Sequence, residues 1–218
     1  MTAVTDDDFE TLADGELGWR RIELHAFAKE LERATKGHST GPTARALTRG
    51  MATLLYAHWE GYCKAVFEAY IKLILKRKPR VSEAADRLIL AHTQQILRRI
   101  DSGDSEALTE LVAIARGTST QRLRLNQDKV VDTKSNLRFH TLESITSSLG
   151  IPITNLITKK NMIDTQLCDT RNEIAHGRAN FPDPNEILEL HRNVIAMMEE
   201  IRDVTIGQVR SKGYRIRP

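Results

Sequence analysis

The chain has 218 residues, of which 40% are hydrophobic, 28% are charged and only six are proline. This composition is typical of one globular domain with a packed core, and it excludes a disordered or collagen-like chain. Two cysteines exclude a zinc ribbon or a disulfide scaffold, and the net charge of +3 permits nucleic-acid binding without arguing for it.

The first part of the chain has a strong helical period. Apolar residues from Leu17 to Arg33 predict an amphipathic helix. Between Pro42 and Pro79, apolar residues recur at steps of three and four, which predicts one long helix of about 35 residues. Such a helix spans roughly 50 Å. We therefore expect it to bend, to break near Gly61 or to project into a partner.

The middle of the chain interrupts this pattern. Two shorter helices are predicted over 82–100 and 105–116. Residues 117–136 show no helical period, and we interpret them as an irregular insertion that includes an extended loop and a short strand pair. Helix returns over 138–149, where Gly150 is the expected glycine stop.

Two further helices complete the prediction. One runs from about 154 to 176 and ends at Gly177. The other begins after Asp183, a good capping residue, with Pro184 at the first helical position and Glu186 placed to complete a capping box.

These elements predict an all-α fold, a helical bundle with one long helix and an irregular insertion around 117–136. We predict a single domain over 1–208, followed by a basic C-terminal tail over 209–218. The basic residues of that tail are Arg210, Lys212, Arg215 and Arg217.

The sequence also bears on the compartment. No apolar run approaches the roughly 18 residues of a membrane-spanning helix, so we expect no membrane contact. The acidic start of the chain lacks the apolar stretch of a signal peptide. We therefore expect a cytoplasmic protein with reduced thiols.

One cluster of polar residues suggests chemistry. Arg171, Asn172 and His176 stand at the end of a predicted helix, where the negative end of the helix dipole favours the protonated imidazole. RNA cleavage needs charge stabilisation on a phosphate and proton transfer, which a guanidinium and an imidazole provide. Arg171 and His176 lie about 140° apart around an ideal helix. They therefore converge on one phosphate only around the helix end or across two chains.

Two other interpretations of the cluster exist. In a structural one, Arg171 forms an ion pair and His176 caps the helix. In the other, Glu173 and His176 form the Glu-x-x-His of a di-metal bundle, which requires a second such motif and two more glutamates. The sequence has only this one motif, so we expect no metal and no cofactor.

The segment Arg171-Asn172-x-x-x-His176, followed by Gly177, resembles the signature of the HEPN superfamily. The all-α context and the segments 44–75 and 132–137 resemble the RiboL-PSP and MAE-type HEPN proteins of prokaryotic conflict systems. The resemblance covers most of residues 40–205.

This resemblance implies a HEPN-like bundle and a metal-independent endoribonuclease, acting by 2′-OH attack as a toxin or antiphage effector. Arg171 would stabilise the phosphate, His176 would act as general acid and base, and Asn172 would orient the histidine or bind the phosphate. The resemblance further implies a homodimer with a composite active site, an RNA substrate and an antitoxin or defence-system partner. The alternative is a non-catalytic HEPN-like module for dimerisation or partner binding.

Three further residues are predicted to support this site. Glu60, on the long helix, is predicted to hydrogen-bond an active-site group; the alternative is a surface glutamate beside a core tryptophan. Arg178 and Lys134 are predicted to contact the substrate RNA. Since only 5% of the residues are aromatic, no stacking platform for single-stranded bases is evident.

Overall fold

Helices form nearly all the regular structure of this chain, for which a computed structural model describes residues 5–36 and 41–216. No strand occurs within those residues, where β-type pairing is limited to isolated bridges. The predicted all-α class is therefore confirmed. The α-helices are α1 (Asp6–Thr35), α2 (Pro42–Lys76), α3 (Asp86–Asp101), α4 (Ser105–Ala115), α5 (Gln127–Val130), α6 (Phe139–Leu149), α7 (Thr170–Ala175) and α8 (Pro184–Arg210).

The core forms where α1, α2 and α8 pack against one another. Helix α2 lies at its centre, and the side chains of Trp59, Tyr62, Phe67 and Tyr70 are fully buried there. Burying a large apolar side chain stabilises the fold by about 1.5–3 kcal/mol. Because α7 packs against the same central helix, the residues of the predicted motif lie beside the buried core of the bundle.

Helix α2 has the predicted length of 35 residues and is continuous, so the expectation of a break near Gly61 is wrong. The glycine serves a close approach instead. A Cβ atom at Gly61 would lie 3.2 Å from Nη2 of Arg20 on α1. The buried Arg20 guanidinium pairs with Glu16 and lies over the Trp19 ring. The missing side chain at Gly61 therefore lets α1 and α2 pack closely around a buried cation.

The predicted insertion is irregular, but the short strand pair expected in it is wrong. A single isolated bridge joins Arg122 to Arg80, and a one-turn helix, α5, follows a cap by Asn126. Leu123, Leu125 and Val131 are buried. The segment is therefore fixed to the bundle by its apolar side chains rather than by a strand ladder.

The region predicted as one helix over 154–176 has three different helical geometries. It begins with a 3-10 helix (Thr154–Lys159), continues through a π-helical stretch (Met162–Asp169) and ends as α7. Stretches of π-helix in natural proteins often occur at functional sites. Here the π-helical stretch continues directly into α7, so it lies immediately before the motif residues.

The last helix begins as predicted, with Asp183 Oδ1 accepting from the amides of Asn185 at 2.7 Å and Glu186 at 3.3 Å. The reciprocal bond of a capping box, expected from Glu186, is not formed. The cap alone fixes the direction in which the chain enters α8 after the motif.

Part of the predicted basic tail packs against the bundle. Helix α8 continues to Arg210, and Tyr214 is buried. Its carbonyl accepts from the amide of Ala85 at 2.9 Å. Arg217 lies outside the described residues, and the division into a domain and a tail stays a prediction. No helix in the described part of the chain is long and apolar enough to cross a membrane.

Candidate active site

The start of α7 is tied to the start of α6. The Arg138 guanidinium pairs with the carboxylate of Asp169 and donates to the Asp164 carbonyl at 3.3 Å. The Asp164 carboxylate in turn accepts from the Phe139 amide at 2.7 Å. Two aspartates of the π-helical stretch therefore fix the position of α7 immediately before Arg171.

Arg171 is held by a ring and an amide rather than by a carboxylate. Its guanidinium carbon lies 4.4 Å from the centroid of the Tyr56 ring on α2, and its Nη1 donates to Asn172 Oδ1 at 2.8 Å. Among residues 5–36 and 41–216, no carboxylate lies within ion-pair distance of it. The ion pair that the structural interpretation placed at Arg171 is therefore not formed among the described residues. The cation is oriented but not neutralised, which suits a site for an anion.

The ring beneath Arg171 is itself fixed. The buried Tyr56 hydroxyl accepts from the Leu137 amide at 2.9 Å, and Cys168 Sγ donates to the Leu137 carbonyl at 3.6 Å. Burial raises the pKa of Tyr56, and the neighbouring Glu60 carboxylate raises this pKa further, so the hydroxyl stays protonated at neutral pH. Glu60 therefore lies beside Tyr56, and the ring of Tyr56 contacts Arg171.

The Tyr56→Phe variant tests this support. It keeps the ring under Arg171 but leaves the Leu137 amide without its acceptor, so we expect the free energy of unfolding to fall by about 1–3 kcal/mol. The control is Tyr70→Phe, since the buried Tyr70 hydroxyl has no hydrogen-bond partner in the described chain. Urea denaturation should show a much smaller change for Tyr70→Phe; equal losses in the two variants would contradict the role given to Tyr56.

His176 stands at the C-terminal end of α7 with its side chain in solvent. Its backbone amide donates to the Asn172 carbonyl at 3.0 Å, one helical turn earlier. His176 is the C-cap residue of α7, as the structural interpretation expected, and the cap uses its backbone. In the described part of the chain, its imidazole has no hydrogen bond and no ion pair. An exposed imidazole at this position is open to a substrate and to proton exchange with water.

Gly177 turns the chain away from the helix immediately after His176. Its φ of +72° is left-handed, and the following amide, that of Arg178, donates to the Glu173 carbonyl at 2.9 Å. This is the expected glycine end of a helix. The backbone therefore fixes where His176 lies relative to α7.

The Gly177→Ala variant should be less stable by about 1–2 kcal/mol, because a left-handed conformation strains any residue with a Cβ. No atom lies within 4 Å of the added Cβ, so the effect comes from the backbone alone. Gly15→Ala, within α1 and equally uncrowded, should instead stabilise by about 0.5–1 kcal/mol. Thermal unfolding of both variants checks the opposite signs; stabilisation by Gly177→Ala would contradict the strained turn.

The two predicted substrate-binding residues have different surroundings. The exposed Arg178 side chain directly follows the motif, 4.0 Å from the Glu173 carboxylate. Lys134 forms an ion pair with Asp132 at 2.6 Å. It lines a cavity of about 220 Å³ with His140 and other residues that do not include the motif. Arg178 therefore adjoins the motif, whereas Lys134 lines a cavity formed by other residues.

Neither cysteine is placed as a nucleophile. Cys63 and Cys168 are both free and buried. Burial raises the pKa of Cys63, and it raises that of Cys168 to about 12 although Arg138 opposes the shift. Both thiols are therefore protonated at neutral pH. The described residues contain no group of three or more His, Cys, Asp or Glu side chains placed to hold a metal ion.

Sequence reasoning missed three residues around the motif. The ring of Tyr56 contacts the Arg171 guanidinium. Arg49 on α2 donates to the carbonyls of Arg178, at 2.9 Å, and of Asn180. Phe181, exposed on the loop after the motif, lies beside Arg49. The helical period of α2 places Tyr56 and Glu60 on one face, which is the one sequence signal that could have connected them.

Comparison with known proteins gives one result for the chain. A family model described as RiboL-PSP-HEPN matches residues 16–206, which is more than half of the sequence. No curated protein and no solved structure matches it. The matched range includes α2, the π-helical stretch, α7 and nearly all of α8.

Proposed function

The chain belongs to the RiboL-PSP-HEPN family, and on that basis we propose that this HEPN-type module is a metal-independent endoribonuclease. Its substrate is single-stranded or looped RNA, and its active site is built from Arg171, Asn172 and His176. The family match supports the module; the chemistry is inferred from the residues and their surroundings.

One observation carries the proposal. Arg171, in the first turn of α7, has no carboxylate partner among the described residues. His176, at the other end of the helix, is exposed. A structural arginine in a folded domain is commonly neutralised by an acid, as Arg138 is by Asp169 nearby. A cation left unpaired beside an open imidazole is suited to a phosphodiester.

The proposed reaction needs only the RNA and these side chains. A basic imidazole removes the proton of the ribose 2′-OH, and the oxygen attacks the adjacent phosphorus. The Arg171 guanidinium stabilises the charge that develops on the phosphoryl oxygens. The P–O5′ bond breaks, and an imidazolium gives its proton to the leaving oxygen. The products are a 2′,3′-cyclic phosphate and a 5′-hydroxyl end.

Two chains are proposed to share this chemistry. On an ideal helix, Arg171 and His176 are separated by about 7.5 Å along the axis and by about 140° around it. In addition, a single imidazole is either unprotonated, and acts as the base, or protonated, and acts as the acid, but it is not both at once. A homodimer with two motifs facing each other supplies both an acid and a base, together with two guanidinium groups.

The wider role is proposed from the family resemblance. The protein acts as a toxin or antiphage effector, and an antitoxin or defence-system partner restrains it. Arg178, exposed beside the motif, contacts the RNA backbone. Lys134 is a weaker candidate for such contact because Asp132 compensates its charge.

The experiment that tests the proposal uses the purified full chain. Total tRNA and a long mRNA are incubated with the protein in EDTA, and light scattering measures its oligomeric state. Discrete RNA fragments produced by a dimer are the expected result. A folded dimer that leaves both RNAs intact would instead favour the non-catalytic module that binds a partner.

A further inference from the structure

Phe181 is an exposed aromatic residue on the loop that leaves the motif. It follows His176 by five residues, so the two lie at most about 18 Å apart, and 58% of its surface is open to solvent. Single exposed apolar residues are ordinary on protein surfaces. Phe181 differs from these because two arginines of α2 flank it. The guanidinium carbons of Arg45 and Arg49 lie 5.8 Å and 5.2 Å from the ring centroid.

The loop that carries Phe181 is held in place. Arg49 Nη1 donates to the carbonyls of Arg178 and Asn180, and Asn180 Nδ2 donates to the Glu173 carboxylate at 2.6 Å. The first two bonds fix the loop to α2, and the third fixes it to α7. The ring therefore stays at a set position relative to the motif, so a ligand that contacts it loses little free energy in ordering the loop.

The surroundings of the ring favour an anionic ligand. A cavity of about 430 Å³ lies beside Phe181, and Arg45 and Thr48 are among its lining residues. In the described chain, Arg45 has no ion-pair partner. The one carboxylate among the lining residues, that of Asp183, accepts the two amides that cap α8. Arg49 uses Nη1 to hold the loop, and the Arg178 guanidinium lies 4.0 Å from the Glu173 carboxylate. Arg45 has neither kind of contact among the described residues, so it is the cation beside Phe181 that is available to a phosphate.

We propose that Phe181 and Arg45 form a binding subsite for one unpaired RNA nucleotide next to the cleavage site. The base stacks on the Phe181 ring, and its phosphate binds the Arg45 guanidinium. Aromatic stacking is a recurrent way to hold single-stranded bases, whereas paired bases offer no free face. The choice of RNA as the ligand rests on the proposed function. Such a subsite is a stacking platform of one ring, which the low aromatic content of the sequence does not reveal.

The test measures binding without cleavage. The probe is a fluorescently labelled single-stranded RNA of about 12 nucleotides, with 2′-O-methyl riboses that block 2′-OH attack. Fluorescence polarisation gives Kd for the full-length protein, for Phe181→Ala and for Phe181→Trp. The control is Leu108→Ala, which removes an equally exposed apolar side chain on α4. A duplex of the same sequence is titrated in parallel.

We expect Phe181→Ala to raise Kd for the single strand by about 5- to 150-fold. Phe181→Trp and Leu108→Ala should stay near the wild-type value, and the duplex should bind equally to the wild type and Phe181→Ala. The proposal is overturned by an unchanged Kd for Phe181→Ala, by equal losses for single strand and duplex, or by a wild type that does not bind the probe.

This experiment separates the two proposals. Binding that depends on Phe181, in a protein that leaves unmodified RNA uncut, keeps the subsite and removes the ribonuclease. If the wild type cleaves RNA and Phe181→Ala binds the probe as tightly as the wild type, the ribonuclease proposal is supported and the subsite proposal is rejected.

Discussion

The His176→Ala variant is expected to lose RNA cleavage by about 100- to 10,000-fold, the usual contribution of a general acid or base. The physical reason is that the His176 imidazole is the group proposed to take up and release the proton during cleavage. Thermal stability should stay close to that of the wild type, because the imidazole is exposed and makes no hydrogen bond or ion pair within the described chain. Initial cleavage rates on one defined RNA, together with melting curves, provide the measurement.

The matched control is His25→Ala. His25 is also an exposed histidine on a helix, but it lies on α1 and its ring contacts His191. Its removal should leave the cleavage rate unchanged. Equal activity of His176→Ala and the wild type would show that the cleavage occurs at another site or comes from a contaminant.

The Arg171→Ala variant should cleave about 100- to 1000-fold more slowly, comparable to the loss of one preorganised donor to a developing oxyanion. Arg171→Lys keeps the charge but loses the planar guanidinium that lies on the Tyr56 ring and donates to Asn172. We therefore expect Arg171→Lys to recover only part of the rate. The stability cost of Arg171→Ala should be small, about 0.5–1 kcal/mol for the lost contact with the ring.

A control is needed for the net charge, since any lost cation weakens attraction to RNA. Arg116→Ala removes an exposed arginine at the end of α4, away from the motif. It should change the apparent affinity slightly and the maximal cleavage rate not at all. A full rate for Arg171→Ala, or equal losses in the two variants, would contradict the role of Arg171.

The helices could be predicted because their signals are local. The apolar periodicity predicts the length of α2. The residues Gly150, Gly177 and Asp183 mark helix ends that the structure also has. The predicted break at Gly61 is wrong because the glycine makes room for Arg20 of α1, and the sequence of α2 does not show this contact. A glycine inside a helix costs about 0.5–1 kcal/mol relative to alanine, and at Gly61 the close approach of Arg20 gives a reason for the glycine despite this cost.

The π-helical stretch could not be predicted for a similar reason. Its sequence has an ordinary helical pattern, and the contact that holds its end, between Arg138 and Asp169, joins segments that the sequence separates. Local propensity does not contain such contacts. This contact nevertheless holds the chain two residues before Arg171.

The sequence predicted the motif residues but not their surroundings. Arg171 and His176 could be selected by residue type and spacing. The sequence does not show, however, that Arg171 contacts the Tyr56 ring of α2 rather than a carboxylate among the described residues. Phe181 escaped notice because a composition of 5% aromatic residues says nothing about where one exposed ring lies. All of the functional roles stay predictions: catalysis by Arg171, His176 and Asn172, support by Glu60, and RNA contact by Arg178 and Lys134.

The central claim is that the ribose 2′-OH is the nucleophile and that no metal is required. The most direct measurement uses an RNA with one mapped cleavage position and its copy with a single 2′-deoxy nucleotide on the 5′ side of that bond, both in EDTA. If the 2′-OH is the nucleophile, the first RNA acquires a 2′,3′-cyclic phosphate end and the second is not cleaved at that position. Cleavage across the deoxynucleotide, or activity that EDTA abolishes, would contradict the central claim.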